Sequence, residues 1–249
     1  MAIIYGVNPV KEALLARQGE IEKILVARET KGRTVSDIIR AAAKQGIPVQ
    51  KVSNAELARA AGAEKHQGLA ALLRGGFGYS GLEDILVKVR KGREAGRRSL
   101  VLVLDSIKDP GNLGSLIRTA SCAGVEGVII PRDRACPVTP VVEKASAGAV
   151  SHVAIARVTN LARAVRELKD EGFWAVAIEA DGERDIYSAD ISGDLALIVG
   201  SESGGVRRLV REASDECLAI PISGNLGSLN AAQAGAIALF EARRQGRKG

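Results

Sequence analysis

Aromatic side chains are scarce in this chain: Phe, Trp and Tyr together make up 3% of its 249 residues. A surface that holds nucleic acid by stacking successive bases on exposed rings needs more of them, which excludes that mode of single-strand binding. Cysteine is as sparse. Cys122, Cys136 and Cys217 lie far apart with no CxxC spacing, so neither a disulfide framework nor a zinc or redox motif is expected, and the odd count predicts reduced thiols in a cytoplasm. The two histidines, His66 and His152, have no ligand-type neighbours, and no metal site is expected. No apolar run approaches the ~18–20 residues of a membrane span; 100–104 and 195–199 are strand-length. MAIIYGVNPVKEALL at the start lacks a basic segment followed by an apolar one, so no signal peptide is expected and the location read from it is cytoplasmic. GxGxxG, GK[ST] and GxSxG are all missing, which argues against dinucleotide oxidoreductases, P-loop enzymes and serine hydrolases.

Positive charge is present, and it is clustered. The net charge is +6, and Lys88, Arg90, Lys91, Arg93, Arg97 and Arg98 fall within one short stretch, with Arg243, Arg244, Arg247 and Lys248 near the end. A basic excess favours polyanionic partners. Arg97 and Arg98 are the candidate contacts to the phosphates of such a partner.

Apolar periodicity divides the chain. Residues 1–75 read as a small α/β domain, with helices over 8–17 (Asn8 as cap), 34–45 and 55–61 and strands over 21–27, 48–52 and 69–73. Glycines at 75, 76, 78 and 81 and the basic run mark 76–98 as a linker, with room for one helical turn near 82–89. From 99 to 249 apolar strands alternate with amphipathic helices, the pattern of a mostly parallel sheet covered on both faces. Its strands are expected over 99–105, 127–130, 152–156, 173–180, 195–200 and 217–222. Its helices are expected over 113–123, 140–147, 160–171, 206–213 and 229–244.

Ligands of open α/β sheets bind at the carboxyl ends of strands, and three such ends carry unusual loops. DSIKDPGNLGSLIRTA (105–120) has turn chemistry followed by a helix whose apolar stripe leaves Arg118 outside. IVGSESGGV (198–206) is a glycine-rich strand-to-helix turn that brings backbone close to a ligand, and its Glu202 suits a cationic or neutral ligand better than a phosphate. IPISGNLGSLN (220–230) is small and polar, with Ser228 placed to cap the last helix at Leu229. Each loop alone is compatible with a plain turn.

Together and in this order the three loops resemble the three motifs of the SpoU/TrmH family of RNA ribose methyltransferases. IYGVNPVKEALL (4–15) and HQGLAALL (66–73) resemble the small substrate-binding domain of its ribosomal RNA members, and 144–165 resembles the subgroup acting on large-subunit RNA. The resemblance implies a knotted (trefoil) α/β catalytic domain of the SPOUT class behind a small N-terminal α/β domain. It implies S-adenosylmethionine as cofactor, no metal, a homodimer, and transfer of a methyl group to a ribose 2′-hydroxyl, with a guanosine of bacterial 23S rRNA as target. The alternatives are a tRNA guanosine, or RNA binding without catalysis. Carried over by position, Asn112 and Arg118 are the polar pair of the first motif, Glu202 the acid of the second, and Ser228 and Asn230 the pair of the third. Gly200, Ile220 and Leu229 are the cofactor positions. Two roles stay open for Arg118: a base that loses its proton beside a phosphate, or a fixed cation that orients the ribose. The small face of the last helix (Ala231, Ala234, Ala238) fits a dimer contact and intramolecular packing equally well.

Overall fold

A computed structural model describes residues 2–17, 19–75, 77–202, 204–224 and 227–247. The chain forms two compact units, 1–78 with 138–152, and 79–137 with 153–249. The smaller unit begins with β1 (Ala2–Tyr5), α1 (Val7–Ala16), β2 (Ile21–Ala27), α2 (Arg33–Lys44), β3 (Val49–Val52), α3 (Asn54–Ala61) and β4 (Leu69–Leu73). Its sheet runs β1-β4-β2-β3 and is mixed: β4 is antiparallel to β1 and β2, and β3 is parallel to β2. Successive residues of β2 serve opposite cores. Ile24 and Val26 pack with Val10, Leu14 and Ile38, while Leu25 and Ala27 pack with Tyr5, Val52 and Leu57. A strand buried on both faces reads as a continuous apolar run, which is what IEKILVA approaches. Asn8 is not a cap. Gly6, at φ 103°, precedes the helix, and the first free amide, on Val7, donates to Gln67 Oε1 at 3.0 Å.

The larger unit begins where a linker was expected. Residues 82–94 form α4 (Leu82–Glu94), and Ile85, Leu86 and Val89 are buried in the unit's core. The basic residues around them mask this narrow stripe in the sequence. The order continues with β5 (Leu100–Leu104), α5 (Pro110–Ala123) and β6 (Gly127–Pro131). Residues 138–152, with α6 (Pro140–Ala145), belong to the smaller unit. There Arg17 donates to Glu143 at 3.1 Å and His152 meets Glu12 at 2.7 Å. The chain resumes with β7 (Ala154–Val158), α7 (Leu161–Asp170), β8 (Trp174–Ile178), β9 (Arg184–Asp185), β10 (Leu195–Val199), α8 (Arg208–Arg211), β11 (Glu216–Ala219) and α9 (Ala231–Gly246).

Its seven strands are ordered β7-β6-β5-β10-β8-β11-β9 and every pair is parallel. β5 and β10 are buried along their whole length, which accounts for their apolar composition. Chain order reverses between β5 and β10, the place where an open parallel sheet leaves a crevice.

Both helices that frame this crevice start differently from the sequence expectation. DPGN is the first turn of α5, not a turn before it: Asp109 is the N-cap, accepts from the Asn112 amide at 2.7 Å, and Pro110 follows at the first helical position. Ser228 does not cap α9. Asn230 does, its Oδ1 accepting from the Ala232 amide at 2.8 Å. The small-residue face of α9 lies against α5 of the same chain, where a Cβ on Gly235 would overlap Leu116.

Candidate active site

Three loops meet at the carboxyl ends of β5, β10 and β11. Asn112 Nδ2 donates to Glu202 Oε1 at 2.6 Å. Asn230 Nδ2 donates to the same oxygen and lies 3.1 Å from Asn112 Oδ1. One carboxylate oxygen thus gathers an amide from each of the other two loops, across 90 and 28 residues of chain. Hydrogen bonds to an ionised acceptor are the stronger kind, so Glu202 fixes both amides.

Glu202 stands on the wall between two depressions. The first, about 650 Å³, is lined by Gly200, Ile220, Ser228 and Leu229, and also by Ile178 and Glu179. Among the described residues its lining contains no Lys, Arg or His. The second, about 460 Å³, is lined by Ser106, Lys108, Asp109 and Asn112, and shares Ser201, Glu202 and Ala231 with the first. The expected cofactor positions Gly200, Ile220 and Leu229 therefore share one cavity, and Asn112 faces the other.

The turn after β10 is closed on itself. Ser201 and Gly205 exchange backbone hydrogen bonds at 3.1 and 2.8 Å. A Cβ on Gly200 would overlap the backbone of Gly205 and Val206, so only glycine fits there. Two carboxylates fasten the end of the turn. Glu179 accepts from the Val206 amide at 2.5 Å. Asp105, fully buried, accepts from the Arg207 amide at 2.8 Å and from its Nε at 2.6 Å. Burial pushes the Glu179 carboxyl up, against the pull of the Val206 amide. Ser106, next to Asp105, sits at φ +63° with its hydroxyl on Asp105 Oδ1 at 3.0 Å. A non-glycine residue held there costs about 1–3 kcal/mol, and such strain clusters at functional sites.

Sequence reasoning missed Asp105, Ser106 and Glu179. A charged or polar residue just past an apolar parallel strand was the available signal, and for Glu179 it lay just past β8, at a strand end without a glycine-rich loop.

Arg118 is not part of the amide–carboxylate cluster. It is exposed on α5 beyond Asn112 and makes no hydrogen bond or ion pair with the described residues. Half of the basic residues of 88–98 are engaged within their unit. Arg90 pairs with Glu83 at 2.7 Å and with Glu171, and Arg93 pairs with Asp194 at 2.6 Å. Arg98, the other expected phosphate contact, donates from its guanidinium to the carbonyls of Gly193, Ile191 and Ala242. Burial lowers its pKa, the repulsion of Arg243 adding to this. Arg97 is exposed.

Among the described residues no group of three or more His, Cys, Asp or Glu is placed to hold a metal ion, and no helix is long and apolar enough to cross a membrane.

Residues 99–240 match the SpoU rRNA Methylase family, and residues 3–75 match the RNA 2′-O ribose methyltransferase substrate binding domain. A Staphylococcus aureus protein named for the TrmH family of tRNA/rRNA methyltransferases is 40% identical over 98% of this chain and 96% of its own. A 23S rRNA (guanosine-2′-O-)-methyltransferase of Xanthomonas campestris is 37% identical over 97% and 96%. The crystal structure of an AdoMet-bound rRNA methyltransferase from Sinorhizobium meliloti superposes with a TM-score of 0.77 at 27% identity, over 98% of this chain and 87% of that one. The chain belongs to the SpoU family of RNA 2′-O-ribose methyltransferases.

Proposed function

We propose that the protein methylates the 2′-hydroxyl of a guanosine in bacterial 23S rRNA, with S-adenosylmethionine in the first cavity and the ribose in the second. The observation that carries this reading is Glu202 standing between the cavities with Asn112 and Asn230 on one oxygen. The first cavity suits the cofactor chemically. Ile178, Ile220 and Ile222 give it apolar walls for a purine. Two carboxylates and no basic side chain suit a ligand with a sulfonium and an ammonium group and disfavour a pyrophosphate.

When bound, S-adenosylmethionine supplies an electrophilic methyl group, whose bond to sulfur breaks as its bond to the ribose oxygen forms and the hydroxyl proton leaves. The chain's own residues orient the reactants. Asn112 and Asn230 place the nucleotide in line, with Ser228 on the cofactor side, which converts a bimolecular step into an effectively unimolecular one. Arg118 presents a planar guanidinium whose donors form a fixed fork. It therefore orients the ribose and stabilises the developing alkoxide, while the proton goes to another acceptor. Exposure without a protein partner fits a side chain whose partner is RNA.

The remaining features belong to the same reading. The segment from β10 through α9 threads a trefoil knot, the protein is a cytoplasmic homodimer with exposed Phe240 of α9 at its interface, and no metal takes part. The smaller unit and Arg97 capture RNA. The domain division is 1–75 for RNA binding, 76–98 between, and 99–249 for catalysis, with α4 and residues 138–152 as the exceptions described above.

Mapping 2′-O-methyl marks in ribosomal and transfer RNA from cells with and without the protein tests the target. Loss of one guanosine mark in 23S rRNA is expected. Loss of a tRNA mark instead would move the substrate to tRNA, and no lost mark would overturn the reading.

A further inference from the structure

We propose that Glu179 discriminates the cationic methyl donor from its neutral demethylated product. The inference rests on the cofactor reading of the first cavity.

Glu179 and Glu202 are the two acidic side chains in the lining of that cavity. Their situations differ. Glu202 uses Oε1 to hold two asparagine amides. Glu179 uses Oε1 to hold the Val206 amide, while its Oε2 accepts no hydrogen bond from the described residues. Nor is it in an ion pair. Arg211, the cation that acts on it, is itself bonded to Asp181 at 3.1 Å, and Asp181 and Asp105 both repel it. The result is a part-buried carboxylate in the lining of an apolar cavity, with one oxygen unbonded and no counter-ion in contact among the described residues.

Removing such a group from water is unfavourable unless a positive charge offsets it. S-adenosylmethionine brings a sulfonium and an ammonium; S-adenosylhomocysteine has lost the sulfonium charge. The two ligands otherwise differ by a single methyl group, so apolar walls and backbone hydrogen bonds treat them nearly alike. A charge in the wall does not. In a low-dielectric cavity its attraction for one extra unit charge exceeds that in water several-fold. Glu179 thereby favours loading of the donor and release of the product, without touching the 2′-hydroxyl.

The competing role is mechanical: Glu179 holds the end of the 200–206 turn through Val206. Glu179→Gln separates the two, because Gln keeps an oxygen acceptor for the Val206 amide and removes the charge. Titration calorimetry of the full chain with each ligand alone reads the outcome. For the wild type, both ligands bind. For Glu179→Gln, affinity for S-adenosylmethionine is expected to fall about tenfold, with that for S-adenosylhomocysteine changed by less than about threefold. Glu179→Asp keeps the charge and is expected to keep the wild-type ratio of the two affinities. Equal losses for both ligands in Glu179→Gln would make Glu179 a loop clamp only, and an altered ratio in Glu179→Asp or unaltered ratio in Glu179→Gln would also overturn the proposal. A wild type that binds neither ligand would instead remove the cofactor reading beneath it.

Discussion

Asn112 Oδ1 and Asn230 Nδ2 lie 3.1 Å apart although 118 residues separate them in the chain. Asn230 has two tasks: its Oδ1 caps α9 and its Nδ2 serves Asn112 and Glu202. Asn230→Asp keeps the cap and puts a second carboxylate against Glu202. The variant is expected to hold its melting temperature within a few degrees, since an N-cap exchange of this kind is nearly neutral. Turnover should fall at least tenfold because both amide donors to the cluster are disturbed. Single-turnover rates beside a thermal melt check it; a wild-type rate would separate the cluster from the chemistry.

Arg118 is exposed and bonded to nothing in the described protein, so stability does not depend on it. Arg118→Ala and Arg118→Lys should each change stability by no more than about 0.5 kcal/mol. Both should lose about a hundredfold in single-turnover rate at saturating RNA and cofactor, roughly 2.7 kcal/mol of transition-state stabilisation. Lysine lacks the planar fork that fixes two partners at once. A near-normal rate for Arg118→Ala would take the residue out of the mechanism.

Two glycines of the site loops are expected to behave oppositely. A methyl group on Gly200 overlaps backbone that cannot yield, whereas at Gly227 it meets nothing within 4 Å. Gly200→Ala should destabilise the protein by about 2–4 kcal/mol or abolish cofactor binding. Gly227→Ala should leave both within error. Calorimetric binding and chemical denaturation of the pair decide the matter.

Within the smaller unit, Arg17 and Glu143 form a buried pair, and Arg17 Nη2 has no hydrogen-bond partner among the described residues. Burial holds the Glu143 pKa above its ordinary value of 4.5, with Arg17 pulling it back down. Arg17→Met removes that pull, so the folded-state pKa rises further. A carboxyl with a raised folded pKa stabilises below its unfolded value and loses that contribution as pH rises through the folded value. The variant should therefore be destabilised by about 3 kcal/mol near pH 8 and by distinctly less near pH 5. The double replacement Arg17→Met with Glu143→Leu should recover most of the loss. Denaturation midpoints at the two pH values test the sign; a loss that grew toward acid would refute it.

Arg97 and Arg98 are adjacent but expected to differ. Arg98→Ala strips donors from three carbonyls and should lower the melting temperature while leaving the salt dependence of RNA binding unchanged. Arg97→Ala should be neutral to stability, weaken RNA binding and reduce the slope of log affinity against log salt by about 1. Identical slopes for Arg97→Ala and the wild type would leave that side chain without an RNA contact.

What the amino-acid order settled by itself was local. Alternating apolar runs and helical stripes marked nearly every element, because strands buried on both faces and amphipathic helices leave short-range periodicity. The glycine-rich and polar strand ends around Asn112, Glu202 and Asn230 were legible for the same reason: tight turns and caps need particular residue types within a few positions. Only the tertiary structure decided the rest. Strand order set which loops became neighbours, placing Glu179, just past β8, in the cavity beside the β10 turn and Asp105 beneath Arg207. It buried the narrow stripe of α4, bonded the Arg98 guanidinium to three carbonyls, and assigned residues 138–152 to the smaller unit. Those outcomes depend on hydrogen bonds and desolvation between residues far apart in the chain, and a charged side chain carries the same letter whether its partner is a phosphate, a carboxylate or a backbone carbonyl.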